Sequence, residues 1–184
     1  MSRMRIGIGY DVHRFNGKPA YRARRRGAGT RPLKLGGVTI PFSRGLAGHS
    51  DADVLLHALA DALLGAIGAP DIGEQFPSAD PRYRNADSRM FVQAAYARVR
   101  REGWSIGNVD TTVIADAPKL VGYKRRMCRA ISRLLVVEAT RISVKAKTTE
   151  AFCPGKGGIA AQAVVLLEPS PQRSRRRPAR GRAR

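Results

Sequence analysis

Between residues 50 and 67 the chain sets an apolar side chain wherever a helix returns to the same side: Val54, Leu55, Ala58, Leu59, Ala62, Leu63, Ala66 and Ile67. A stripe that wide has to be laid against another layer of secondary structure. Ser50 can cap this helix, with Asp53 three residues on, and Gly68-Ala69-Pro70 ends it. The opposing layer comes from alternating segments: 4–12, 33–40, 106–115, 141–149 and 159–168 read as five strands. Two further helices are expected. One spans 86–102, with Asp87 as its cap and Gly103 as its stop; the other is opened by Pro118 and runs to about Leu135. Residues 18–32 and 71–85 read as loops. The pattern predicts an α+β fold, a sheet with helices on one face, in one domain over 1–168.

The charge is unevenly spread. The 184 residues hold 34 Lys and Arg against 14 Asp and Glu, a net +20. Seven cations fall in 18–34 and seven in 169–184, and neither stretch holds an acid; the rest of the chain sets 20 cations against 14 acids. A nucleic-acid-binding domain would spread its charge over its face. The remaining excess of about six suits an anionic substrate, though weakly. Residues 169–184 are expected to form a disordered Arg-rich tail, and 18–32 a mobile basic insertion, because neither can bury enough apolar surface to order itself. Such a tail would bind RNA weakly and without sequence preference. No apolar run approaches the ~18 residues of a membrane span, and the three residues before the first strand leave no room for a signal peptide. Cys128 and Cys153 make neither a disulfide framework nor a Cys-rich zinc site. A cytoplasmic location is expected.

Only three histidines are present: His13, His49 and His57. Asp11 and His13 stand two apart on a strand and so share a face. His57 lies inside the first helix, with Asp53 and Asp61 one turn to either side. One carboxylate and two imidazoles suit Zn²⁺ with a fourth position open. From the residues alone, however, His57 reads as readily as an ordinary half-buried polar group, and Asp53 and Asp61 as solvated ones. The helix start at His49-Ser50-Asp51 offers amides to a phosphate, although simple capping by Ser50 is the stronger local reading. The turn Ala115-Asp116-Ala117-Pro118-Lys119 could receive phosphate or a base edge, or be a plain strand–helix junction. Pro154-Gly155-Lys156-Gly157-Gly158 lacks the spacing of a phosphate loop. Together these segments suggest metal-assisted chemistry on a phosphorylated small molecule.

A resemblance is more specific. Gly9-Tyr10-Asp11-Val12-His13, Leu46-Ala47-Gly48-His49-Ser50-Asp51-Ala52-Asp53, Asp71-Ile72-Gly73 with Phe76-Pro77, Gly107-Asn108-Val109-Asp110, Ala117-Pro118-Lys119 and Thr148-Thr149-Glu150 occur in one order over 4–168. In these motifs the chain resembles the methylerythritol cyclodiphosphate synthase family. The resemblance implies a phosphorus–oxygen lyase of bacterial isoprenoid precursor synthesis by the non-mevalonate route. It would convert a cytidylylated methylerythritol 2-phosphate into a cyclic diphosphate and release CMP.

It also implies a chorismate-mutase-like homotrimer with active sites between subunits. Asp11, His13 and His57 would hold Zn²⁺, and Glu150 a second divalent ion, Mg²⁺ or Mn²⁺. His49 and Thr148 would be the catalytic pair. Asp11, His13, His49, Ser50, Asp71, Ile72, Gly73, Phe76 and Asp80 would contact substrate. So would Ala115, Ala117, Pro118, Lys119, Leu120, Val121, Thr148, Thr149, Glu150 and Lys156. Two other functions compete. A metal-dependent phosphatase would use the same Asp/His/His set but would not need a cytidine pocket. A basic RNA-binding protein would interleave aromatics with its arginines, and only Tyr21 does so.

Overall fold

The computed structural model describes residues 4–16, 31–150 and 157–170. Lys156, most of the basic insertion and the tail beyond Ser170 lie outside the described residues. The elements run β1 (Arg5–Arg14), β2 (Leu33–Leu35), β3 (Val38–Ile40), α1 (Val54–Ala66), α2 (Ile72–Gln75), α3 (Arg89–Arg101), β4 (Trp104–Ile114), α4 (Lys124–Leu135), β5 (Ile142–Lys147) and β6 (Gly158–Pro169).

Four strands form one mixed sheet in the order β1-β6-β4-β5. β6 is antiparallel to both neighbours, whereas β4 and β5 are parallel. That parallel pair needs a crossover, and α4 provides it. Alternation sorts the two faces. Gly7, Gly9, Asp11 and His13 of β1 pair with Val165, Ala163, Ala161 and Ile159 of β6, all fully buried. α1 packs across this face on β1 and β6, α4 packs on β5, and α3 bridges the two helices. The helices therefore share one side of the sheet. On the other side Ile6, Ile8, Tyr10 and Val12 are 57–71% exposed.

β1 meets α1 with glycine at the closest approach. A Cβ on Gly9 would lie 2.0 Å from the Ala58 carbonyl oxygen, and one on Gly7 1.9 Å from that of Ala62. Gly9→Ala is therefore expected to push α1 off β1, at a cost of at least the ~1–3 kcal/mol typical of overpacking, because the obstacle is backbone. Calorimetry should show a lower melting midpoint. An unchanged midpoint would mean that the helix has slack at this crossing.

Several elements depart from the expected boundaries. Residues 33–40 are not one strand but a hairpin of β2 and β3, turned by Gly36 and Gly37 with φ +58° and +74°. Positive φ at both central residues is what a tight hairpin demands and what glycine supplies. α1 is capped by Asp53, whose side chain accepts from Leu56 N, and not by Ser50. Asp53 is also fully buried rather than solvated.

α3 starts after Ser88, with Asp87 accepting from Arg89 N just ahead of it. α4 starts at Lys124, not Pro118. Gly122, a poor helix former, stands just before its start, and buried Leu120 anchors a turn there through Tyr123 N. The turn at residues 115–119 is therefore not a helix N-terminus. Residues 71–85, read as loop, contain α2 and a 3₁₀ turn at Pro81–Tyr83. Among the described residues no helix is long and apolar enough to cross a membrane.

Candidate metal centre and pocket

Asp11 and His13 leave the covered face of β1 near its C-terminal end, where α1 crosses it and presents His57. Asp11 Oδ2 lies 2.9 Å from His57 Nδ1 and 3.0 Å from His13 Nε2, and the two ring nitrogens are 3.2 Å apart. Tetrahedral Zn²⁺ with ligand bonds of about 2.0–2.1 Å would space its donors about 3.3 Å apart. The three donors, all within 4.8 Å of one another, come close to that triangle. They also have the right chemistry, one carboxylate and two imidazoles. Burial works against the charged form of Asp11, but hydrogen bonds and charge from His13 and His57 outweigh it and hold the carboxyl well below the usual carboxylate range.

The far side of His57 is also occupied. Its Nε2 stands 3.0 Å from Ser50 Oγ and 2.9 Å from Ser88 Oγ. Ser88 Oγ donates to Asp51 Oδ1, and Asp51 Oδ2 accepts from Lys34 Nζ at 2.9 Å. Both serines are buried. The preceding loop, which carries His49, is braced separately. Arg31 Nη1 donates to the carbonyls of Gly48 and Ser50, its Nη2 donates to Asn85 Oδ1, and Asn85 N donates to His49 O at 2.7 Å.

Beside the triad opens a pocket of about 290 Å³. Of the expected site residues it is lined by His13, His49, Ser50, His57, Ile72, Gly73 and Phe76. Its wall is aromatic: Phe76 packs on Phe91 and Tyr83 with centroids 4.9 and 5.4 Å apart. Gly48, Ser78, Tyr83 and Phe91 also line it and were not anticipated. Asp71 caps α2 at the rim, accepting from Glu74 N. Asp61, half-buried, accepts from Ile72 N and fixes that turn, and its burial pushes its carboxyl up. Asp80 is not in the lining; it caps the 3₁₀ turn and pairs with Arg82.

The remaining expected residues gather elsewhere. Thr149 N and Oγ1 donate to Asp116 at 2.8–2.9 Å, and Ala115 N donates to Lys147 O. These bonds join the segment carrying Ala115, Ala117, Pro118, Lys119, Leu120 and Val121 to Thr148, Thr149 and Glu150, where Thr148 Oγ1 donates to Glu150. Ala115 and Leu120 are buried and can offer only backbone, whereas Val121 is exposed. This second cluster sits at the C-terminal ends of β4 and β5, at the same end of the sheet as His13. Between β1 and β5 lie three strand spacings, roughly 14 Å at ~4.8 Å each. None of these residues lines the pocket. Among the described residues, the group around Asp11 is the only His/Cys/Asp/Glu set arranged to hold a metal.

Residues 4–168 match the YgbB family. A 2-C-methyl-D-erythritol 2,4-cyclodiphosphate synthase of Geobacillus kaustophilus is 52% identical over 168 residues, covering 90% of this chain and 99% of the relative. One from Vibrio cholerae is 49% identical over 166 residues, covering 89% and 98%. Among solved structures, a CDP-bound 2C-methyl-D-erythritol-2,4-cyclodiphosphate synthase aligns with TM-score 0.76 and 38% identity, covering 89% of this chain and 99% of the other. The bifunctional IspDF of Campylobacter jejuni aligns with TM-score 0.80 and 40% identity, and this chain spans 43% of its length.

Proposed function

The chain belongs to the YgbB family, and on that premise we propose that it converts 4-diphosphocytidyl-2-C-methyl-D-erythritol 2-phosphate into 2-C-methyl-D-erythritol 2,4-cyclodiphosphate and CMP. The observation that carries the reading is the convergence of Asp11, His13 and His57 beside a pocket walled by Phe76, Tyr83 and Phe91. The substrate's own 2-phosphate is the nucleophile. An oxygen of it bonds to the β-phosphorus while the bond from that phosphorus to the CMP oxygen breaks, so the chain need supply no nucleophilic side chain. Its task is to hold two anionic groups in line and offset their charge. Asp11, His13 and His57 would hold Zn²⁺, which would supply Lewis-acid charge neutralisation at the phosphates. His49, facing the same pocket from its braced loop, donates to a phosphate oxygen, and Thr148 does so from the second cluster once its hydroxyl turns from Glu150 to the substrate. Asp71, Ile72, Gly73 and Phe76 enclose the methylerythritol, and Glu150 serves the second divalent ion, Mg²⁺ or Mn²⁺. The cytidine lies on the segment from Ala115 to Val121, with Lys119 near its phosphates. A cytoplasmic location fits such a biosynthetic enzyme.

The two clusters stand roughly 14 Å apart in one chain, and we take each site to be completed between subunits. The bare apolar face of β1 supports that assembly, a chorismate-mutase-like homotrimer in which one protomer's metal set meets the second cluster of its neighbour. Ile8→Glu puts a charge at the centre of that face. It should yield monomers by sedimentation and, because the site is then divided, no CMP release. A monomeric variant with full turnover would refute the shared site. The direct test of function is incubation with the cytidylylated 2-phosphate, Zn²⁺ and Mg²⁺, followed by ³¹P NMR. CMP and a cyclic diphosphate should appear in equal amounts. Inorganic phosphate without the cyclic product would favour the phosphatase reading.

A further inference from the structure

We infer that Ser88 and Asp51, which neither line the pocket nor belong to the ligand set, are positioning residues that lock His57 in the one tautomer able to bind a metal through Nδ1. The inference rests on the metal reading of Asp11, His13 and His57, and deepens it.

The argument follows the protons. Lys34 Nζ can only donate, so Asp51 Oδ2 receives from it at 2.9 Å. Asp51, a carboxylate in this ion pair, can only accept. Its Oδ1 takes the Ser88 hydroxyl proton and, at 3.2 Å, the Ser88 backbone N–H. With its proton committed, Ser88 Oγ faces His57 Nε2 at 2.9 Å with a lone pair. A lone pair on Nε2 would meet it in repulsion inside a buried site; an Nε2–H bonds to it. Ser50 Oγ receives Ala52 N and can give its own proton to Ser88 Oγ at 3.3 Å, which leaves it a second acceptor for Nε2 at 3.0 Å. A proton on Nε2 leaves Nδ1 with its lone pair, aimed at Asp11 and His13. The alternative tautomer would put the proton on Nδ1, where it would donate to Asp11 Oδ2 and block the metal; that contact is only part-buried and open to water, whereas the same tautomer would leave a bare Nε2 against two buried hydroxyl oxygens.

This device links three separate parts of the chain: Lys34 on β2, Asp51 before α1, and Ser88 before α3. A metal-bound imidazole ordinarily gives its other N–H to a carboxylate or carbonyl. Here a serine stands between imidazole and carboxylate and relays the direction of the hydrogen bond. That explains why Ser88 is fully buried and yet makes no side-chain cap bond to the helix it precedes.

The test uses the full chain with Zn²⁺ as probe and two readouts. In competition with a chromophoric chelator, Ser88→Ala should weaken Zn²⁺ binding about 10–100-fold, the usual effect of losing such a partner. Asp51→Asn, nearly the same shape, should weaken it at least as much, because the new amide donates to Ser88 and turns the relay round. Ser88→Thr keeps the hydroxyl and should restore most of the affinity. Long-range ¹H–¹⁵N NMR of the metal-free chain at mildly alkaline pH should show His57 protonated at Nε2, and a mixture of tautomers in Ser88→Ala. Wild-type affinity in folded Ser88→Ala, or an Nδ1–H tautomer in the wild type, would overturn the inference. Absence of Zn²⁺ uptake by the wild type would instead refute the metal reading, and the NMR tautomer would still decide the relay.

Discussion

Replacing His13 with alanine should remove bound metal and turnover together. The triad supplies three donors from two elements, and none of the neighbouring groups can stand in for a lost imidazole: Ser50 and Ser88 face the far side of His57, and Asp61 is engaged by Ile72 N. Two donors hold Zn²⁺ far less well than three. Metal-derived charge neutralisation is worth several kcal/mol in transition states of this kind, so CMP release should fall at least ~10³-fold. His49→Ala separates the two effects. His49 lines the pocket but is not part of the triad, so that variant should keep its metal while losing turnover. Elemental analysis of both proteins beside a CMP assay decides the matter. Full zinc occupancy in His13→Ala would sink the assignment of the triad.

The triad was legible because its spacing is local. Asp11 and His13 share a strand face whatever the rest of the chain does, and His57 rides the most strongly patterned helix. What sequence could not show was how the site claims residues that look like helix caps. Ser50 fits the capping pattern and Ser88 stands just before a helix, yet both hydroxyl oxygens face His57. Capping falls to Asp53, which reads as a solvated partner of His57 until the β2–β3 hairpin is folded onto it. The hairpin itself was hidden because 33–40 is uniformly strand-like, and only the Gly36-Gly37 pair marks the turn. Phe76 was anticipated, but the rest of the pocket's aromatic wall was missed for a related reason: Tyr83 and Phe91 come from a 3₁₀ turn and a helix, and no sequence period connects them to Phe76. The bare face of β1 was half legible, since Ile6, Ile8, Tyr10 and Val12 alternate with Gly7, Gly9 and Asp11. The alternation alone does not say which face the helix covers; the glycines do, once α1 is known to touch them.

Asp53→Ala should cost about 3–7 kcal/mol of unfolding free energy, a large part of the roughly 5–15 kcal/mol that a domain of this kind possesses. The carboxylate is completely buried and accepts three backbone protons. Oδ1 takes those of Gly36 at 2.8 Å and Leu56 at 3.1 Å, and Oδ2 takes that of Gly37 at 2.7 Å. One side chain therefore caps α1 and ties down the hairpin turn. Losing the cap costs about 1 kcal/mol. The buried Gly36 amide and the half-buried Gly37 amide, left without a partner, cost about 1–3 kcal/mol each. Asp53→Asn should fall between wild type and alanine, because its amide nitrogen would turn a donor toward at least one of the three N–H groups. Urea titrations at equal protein concentration measure both variants, and a loss below about 1 kcal/mol for alanine would show that water reaches the turn. The same change should reach the metal. β2 carries Lys34, which pairs with Asp51, and Asp51 orients Ser88 behind His57. A loosened hairpin should therefore weaken Zn²⁺ binding even at urea concentrations where the chain remains folded.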